Sequence, residues 1–416
     1  MGWVSQIFIA LVVSAGLLQW WLLQRQLAHV RRHRSAVPEA FIEKIELAEH
    51  QKAANYTMAK VRFGRLELIY SSALLLLWTI GGGLQWLDMA WRSLEWTPLW
   101  TGVAVMTSLL IIGELLSLPF SIYSTFAIEQ RFGFNRMTPA LFIMDLAKQL
   151  LLTLAIGVPL LLCILWLMYH ASTLWWLQVW AVWMGFSLLL MWAYPAFIAP
   201  LFNKFQPLES GELRQRIEQL MQRCGFTSNG IFVMDGSRRS AHGNAYFTGL
   251  GQNKRIVFFD TLISSLDANE VEAVLAHELG HFKRKHIQKR LISTAVLSLA
   301  GLALLGWLIE QPLFYSGLGV ADMTKYMALI LFMLVMPVVG IFVHPLFSWV
   351  SRKHEFEADE FAAQQTDARD LIQALVKLYK ENANTLTPDP LYSAFHDSHP
   401  PAPVRIAHLA SRITAT

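Results

Sequence analysis

Cysteine, charge and repetition are what this 416-residue sequence has least of, and each shortage removes a class of protein. Two cysteines, Cys163 and Cys224, cannot build a disulfide framework; one falls in an apolar run and the other in a polar segment, so both read as inert thiols. Charged residues make up 15% against 54% hydrophobic, which excludes an ordinary soluble domain. The net charge of +4 is small and its basic excess sits in particular loops, which argues against nucleic acid as a partner. No internal repeat and no low-complexity tract is present. Residues 1–6 carry no basic side chain, and Arg25, Arg31, Arg32 and Arg34 follow the first apolar run directly. That run therefore reads as an uncleaved anchor and not as a cleaved leader.

What the chain has in abundance is apolar length. Seven segments, near 4–24, 66–87, 98–123, 149–170, 174–199, 289–309 and 326–350, reach the roughly 20 residues that cross a bilayer. Many of the 16 tryptophans sit near the ends of these runs, where interfacial aromatics belong. The loop after the first span carries Arg25, Arg31, Arg32, Arg34, Lys44, Lys52, Lys60, Arg62 and Arg65, so the positive-inside rule makes it cytoplasmic. Alternation then places 124–148, 200–288 and 351–416 inside as well. The short turns 88–97, 171–173 and 310–325, poor in Lys and Arg, lie outside with the N-terminus.

The expected fold class is a mainly α integral membrane protein of seven transmembrane helices with a small α+β cytoplasmic domain. Its expected units are five spans over 1–199 with cytoplasmic loops 25–65 and 124–148, a small folded cytoplasmic domain over 200–288, spans six and seven over 289–350, and a cytoplasmic segment over 351–416. Within 200–288, Glu209–Cys224 has a helical period with Leu213, Ile217, Leu220 and Met221 on one face. Ile231–Met234, Asn244–Leu250 and Arg255–Phe259 read as strands, the last two joined by a turn at Gly251-Gln252-Asn253. Asp267 followed by Glu270 is a capping-box start for the next helix.

That helix carries His277-Glu278-Leu279-Gly280-His281. Four residues apart on a helix, His277 and His281 project from one face and can grip one ion. Glu278 lies beside them, placed to deprotonate water, and zinc is the expected ion because it binds imidazole readily. With 13 His and 30 acidic residues, chance produces this pattern in fewer than about 0.03 such chains. A catalytic zinc takes a third protein ligand and keeps a position open. Ser351–Asp359 offers Glu355, with Glu357 as a rival, and Asp359 four residues on to accept a hydrogen bond from a ligand histidine. A solvated acidic helix face is the alternative. His399-Pro400-Pro401 and Arg405 are candidate oxyanion donors, or else the turn before a terminal helix. His286, His354 and His396 read as surface histidines. Glu114, in the middle of the third span, points to an aqueous space or to a buried hydrogen-bonded acid.

Taken together these pieces resemble the type 1 CAAX prenyl protease family of seven-span zinc endopeptidases. The resemblance runs through Val37-Pro38, Tyr56–Gly64, Leu118–Glu129, Gly133-Phe134-Asn135, Pro200–Asn203, Asn244–Phe247, His277–His281, Glu355–Asp359 and His399-Pro400-Pro401. It implies seven helices around a hydrated chamber capped by the zinc domain. It implies Glu355 as third ligand, Asp359 behind a ligand histidine, and His399 and Arg405 as oxyanion or substrate contacts. It also makes Asn244, Ala245, Tyr246 and Phe247 the edge strand that pairs with substrate. The C-terminal residues Ser411–Thr416 carry no retrieval signal and the outside loops are short, so the expectation is a bacterial inner-membrane member.

The function expected is zinc-dependent peptide hydrolysis at the cytoplasmic membrane face, with one catalytic zinc. The partners expected are the bilayer and a peptide or protein substrate, lipidated or membrane-embedded. A broad-specificity membrane quality-control protease is the alternative. A transporter or receptor with a structural zinc is opposed by Glu278, which such a zinc does not need, and by the usual requirement for four protein ligands.

Overall fold

The computed structural model of the chain describes residues 2–227, 230–248 and 255–413. Among these, six helices are long and apolar enough to cross a membrane: Trp3–His33, Pro98–Phe132, Pro139–His170, Trp175–Phe202, His286–Leu308 and Lys325–Gln365. A seventh crossing is made by Leu47–Trp78 and Gly83–Arg92, which are bent by 48° at their junction. Each of the seven expected spans thus has a helix, but the second is broken where it was read as continuous. The break spans residues 79–82: the first helix ends at Trp78 inside an apolar run, and Gly82, left-handed at φ 79°, redirects the chain into the helix that starts at Gly83.

The loop expected over 124–148 is mostly helical. The third span continues through a π-helical segment at Ser124–Glu129 and ends at Phe132. A new helix starts at Pro139, where the Thr138 hydroxyl accepts from the Leu141 amide at 3.2 Å. Further π segments, Thr153–Gly157 and Tyr194–Ile198, interrupt the fourth and fifth spans. Only 6% of the apolar stretch is buried in each of Pro139–His170, Trp175–Phe202 and His286–Leu308, so most of their apolar surface has no protein cover, although Leu165, Met168, Val179 and Leu305 join one buried cluster. Lys325–Gln365 has 41 residues with Pro337 and Pro345 inside it. At 1.5 Å per residue it is about 60 Å long, twice the ~30 Å of hydrocarbon it crosses. Its last turns therefore stand clear of the bilayer.

Those turns pack against a small mixed domain. Its sheet has four strands, β1 (Phe205–Pro207), β2 (Ile231–Met234), β3 (Ala245–Thr248) and β4 (Arg255–Phe259), in the order β1-β2-β4-β3. The β1–β2 and β3–β4 pairs are antiparallel and β2–β4 is parallel, with Ala245 opposite Phe258 and Ile231 opposite Ile256. β1 was not foreseen: three residues ending in proline show no alternation, and proline is tolerated only because the strand is an edge. The expected turn at 251–253 lies outside the described residues. The amphipathic helix starts one turn later than expected, at Glu212 after Gly211, and runs to Cys224. Its Ile217 and Leu220 join Ile256 and Phe258 of β4 and Leu275 and Leu279 of the following helix in one buried cluster. Each such side chain contributes about 1.5–3 kcal/mol through burial. The sheet is thereby fixed against the helix that carries the histidines.

Candidate metal centre

Asp267 opens the Ala268–Lys283 helix as expected. Its carboxylate accepts from the amides of Asn269 and Glu270 at 3.1 and 3.0 Å, and Glu270 accepts from the Asp267 amide at 2.9 Å. The reciprocal pair satisfies amides that have no partner inside the helix. Lys377 sits on Glu270 at 2.6 Å and ties this end to the neighbouring helix Ala368–Glu381.

One small residue sets how the histidines meet their partner. A Cβ on Gly280 would lie 2.9 Å from Cα of Ala358, on the projecting part of Lys325–Gln365. With no side chain at that point the two helices touch backbone to backbone. Residues flanking Ala358 then reach across the contact, and two of these are Glu355 and Asp359.

His277 Nε2 and His281 Nε2 are 3.3 Å apart; Glu355 Oε2 lies 3.4 Å from the first and Glu355 Oε1 3.3 Å from the second. Donors on a tetrahedral zinc at 2.0–2.1 Å are separated by roughly 3.3 Å, so each of these separations is that of neighbouring donors on one zinc. Glu355 Oε2 is buried, with His277 Nε2 at 3.4 Å and Arg405 Nη1 at 3.6 Å, and makes no hydrogen bond of good geometry. A buried carboxylate oxygen so poorly satisfied is costly, and a cation held by His277, His281 and Glu355 would satisfy it. Among the described residues, these three form the one His/Cys/Asp/Glu group of ligand geometry. On this geometry the donor set fits zinc.

Behind His277, Nδ1 donates to Asp359 Oδ1 at 2.8 Å, which leaves Nε2 as the ligand atom. Arg405 Nε donates to the other Asp359 oxygen at 2.8 Å, and Nη2 also bonds the same carboxylate. Arg405 Nη2 lies 3.2 Å from His277 Nδ1, but both atoms carry protons, so this is a contact and not a bond. Burial and the Arg405 charge oppose protonation of His277. The hydrogen bond to Asp359 and the neighbouring Glu355 carboxylate outweigh them and lift its pKa to about 9. The pocket favours a positive charge at the Nε2 position.

Around this cluster the expected residues separate into two groups. Arg405 is buried and committed to Asp359, where a substrate contact had been expected of it. His399 is 66% exposed with Nε2 3.4 Å from Glu355 Oε1, so it faces the open side. Glu278 is half-buried on the motif helix between the two histidines. Asn244 leads into β3, an edge strand whose outer side has no strand beside it among the described residues. Glu114 is exposed, not a buried hydrogen-bonded acid.

Sequence reasoning misplaced one histidine. His286 is 5% exposed and not a surface residue: its Nδ1 lies 2.9 Å from Nδ1 of His281, and its Nε2 lies 3.0 Å from Glu357. No periodicity places it there, because the chain reverses at Lys285 with φ 58°.

Comparison with known proteins agrees with this architecture. Residues 26–204 match the family model described as CAAX prenyl protease N-terminal, five membrane helices, and residues 207–413 match peptidase family M48. CAAX prenyl protease 1 of Saccharomyces cerevisiae is 34% identical over 407 residues, covering 91% of this chain and 88% of the yeast protein. Its homologue in Oryza sativa subsp. japonica is 34% identical over 396 residues, covering 91% and 92%. The crystal structure of S. mikatae Ste24p superposes with a TM-score of 0.91 at 32% identity, over 98% of this chain and 99% of that one. These relatives are eukaryotic, so the bacterial inner-membrane expectation draws no support from them. The chain belongs to the CAAX prenyl protease family of M48 metallopeptidases and is a multi-pass membrane metalloendopeptidase.

Proposed function

We propose that this chain uses one zinc ion to cut peptides at the cytoplasmic membrane face, on the C-terminal side of a prenylated cysteine. The observation that carries the reading is the three-residue ligand set of His277, His281 and Glu355, spaced for zinc and open toward His399. The relatives' name, CAAX prenyl protease 1, supplies the substrate class. His277, His281 and Glu355 would hold the ion, which would supply the Lewis acidity that brings the pKa of a water molecule down to about 7. Glu278 takes the proton as water attacks the scissile carbonyl and returns it to the leaving amine. His399 donates to the oxygen on which charge develops. Arg405 keeps Asp359 and through it His277 in place. The substrate chain pairs with Asn244–Phe247 along the free edge of β3, using main-chain hydrogen bonds that ignore side-chain identity. The basic loop after the first span supports an N-terminus outside and a site and C-terminus in the cytoplasm.

A transporter with a structural zinc would need a fourth protein ligand, and the cluster has three among the described residues. The test is a peptide panel, prenylated and unprenylated, incubated with the purified zinc-loaded chain and with Glu278→Gln at equal zinc content. Mass spectrometry should find one cut, next to the modified cysteine, and Glu278→Gln should be slower by about 10²–10⁴-fold. Scattered cuts irrespective of prenylation would favour a quality-control protease. Normal turnover by Glu278→Gln would remove that residue from the chemistry.

A further inference from the structure

We propose that His286 and Glu357 are positioning residues for the metal: a hydrogen-bonded chain Glu357–His286–His281 fixes the tautomer and the aim of the second histidine ligand. The inference rests on the metal-site reading above and extends it to two residues with no assigned role.

The geometry is continuous. His281 Nδ1 and His286 Nδ1 are 2.9 Å apart, and His286 Nε2 is 3.0 Å from Glu357 Oε2. His281 Nε2 faces His277 Nε2 and Glu355, so as a ligand it carries no proton. The proton of a neutral His281 is then on Nδ1 and donates outward. His286 Nδ1 must accept it, which puts the His286 proton on Nε2, where the Glu357 carboxylate accepts. One tautomer of each ring satisfies every atom in the chain. The arrangement directs negative charge toward the ligand nitrogen, as a carboxylate behind a ligand histidine does.

The backbone is bent to make this contact. Had the motif helix continued, residue 286 would lie five positions beyond His281, rotated by roughly 140° to another face. Instead Lys285 adopts φ 58° and ψ 32°, a left-handed conformation without a glycine. Such a conformation is unfavourable for a residue with a Cβ, and strain of this kind persists where the surroundings over-determine it. The reversal starts the sixth-span helix and returns His286 against His281. There the ring is 5% exposed and stacks on His354, with centroids 4.0 Å apart and planes at 14°.

The acidic run on the last helix then has one use for each alternate residue. Glu355 reaches the metal position, Asp359 holds His277, and Glu357 holds His281 through His286. Lys289, 3.8 Å from Glu357, keeps the far end of the chain charged.

The test measures zinc affinity of the full-length protein in detergent by competition with a chromogenic chelator, together with the visible spectrum of the cobalt-substituted form. His286→Ala should weaken zinc by about 10–100-fold and alter the cobalt bands. His286→Gln, which keeps an acceptor for His281, should recover part of the loss. Glu357→Gln, at a half-exposed carboxylate that the fold does not need, should shift both readouts in the same direction by less. Wild-type affinity and spectrum in folded His286→Ala and in Glu357→Gln would overturn the proposal. If His286→Ala fails to fold, an unchanged Glu357→Gln is by itself contrary. A wild-type chain that binds no zinc would instead sink the metal-site reading on which the proposal stands.

Discussion

His277 shows how much a single residue carries and how much of that the sequence reveals. Its pairing with His281 was legible because four residues on a helix is a local relation, and the capping box at Asp267 marks where that helix begins. That Asp359 would accept a hydrogen bond from a ligand histidine was legible from its i, i+4 spacing to Glu355, but the clamp of Arg405 on that carboxylate was not, since it joins residues far apart in sequence. Choosing Glu355 over Glu357 is likewise a matter of helix crossing, and residue chemistry alone left both open. The electrostatics yield a testable consequence. With a pKa of about 9, metal-free His277 is protonated at neutral pH, and binding a metal must expel that proton. Apparent zinc affinity should therefore rise about tenfold per pH unit between pH 7 and 9 and flatten above. A competition titration that finds no slope below pH 9 would contradict the raised pKa.

At the scale of elements, the central event is the crossing of the motif helix and the last long helix at Gly280 and Ala358. Gly280 reads in sequence as an ordinary filler inside a metal motif; its role as the closest approach of two helices appears only when both axes are placed. The apolar runs gave seven spans because bilayer thickness sets their length. They did not show the break at Gly82, the π segments or the helical 139–148 stretch, since hydropathy does not record backbone hydrogen bonding. β1 was missed for want of length. Gly280→Ala should push the helices apart, because its Cβ would lie 2.9 Å from Cα of Ala358, a backbone clash that no side-chain rotation relieves. The expected cost is about 1–3 kcal/mol in stability, with weaker zinc binding, read by thermal unfolding and chelator competition. A variant that binds zinc as tightly as the parent would show that the crossing does not set the ligand geometry.

The whole molecule assembles its site from segments that cross the membrane between one another. The motif helix precedes the sixth span and Glu355 follows the seventh. The segment that ends in His399 is fastened to the first span, where Arg25 donates to Asp389 at 3.2 and 2.9 Å and His396 meets Gln19 at 2.8 Å. Sequence reading took Arg25 as a topology signal, because a charge at a span end serves that purpose whether or not it also binds a partner. The first span, the last span and the small domain are thus joined at one place, and the metal belongs at that junction. Zinc K-edge absorption spectroscopy of the purified chain, with metal content measured on the same sample, tests this most directly. It should find one zinc per chain with two imidazoles, one carboxylate and one non-protein oxygen, and Glu355→Ala should lose that signature. Four protein ligands, or an unchanged spectrum in Glu355→Ala, would contradict it.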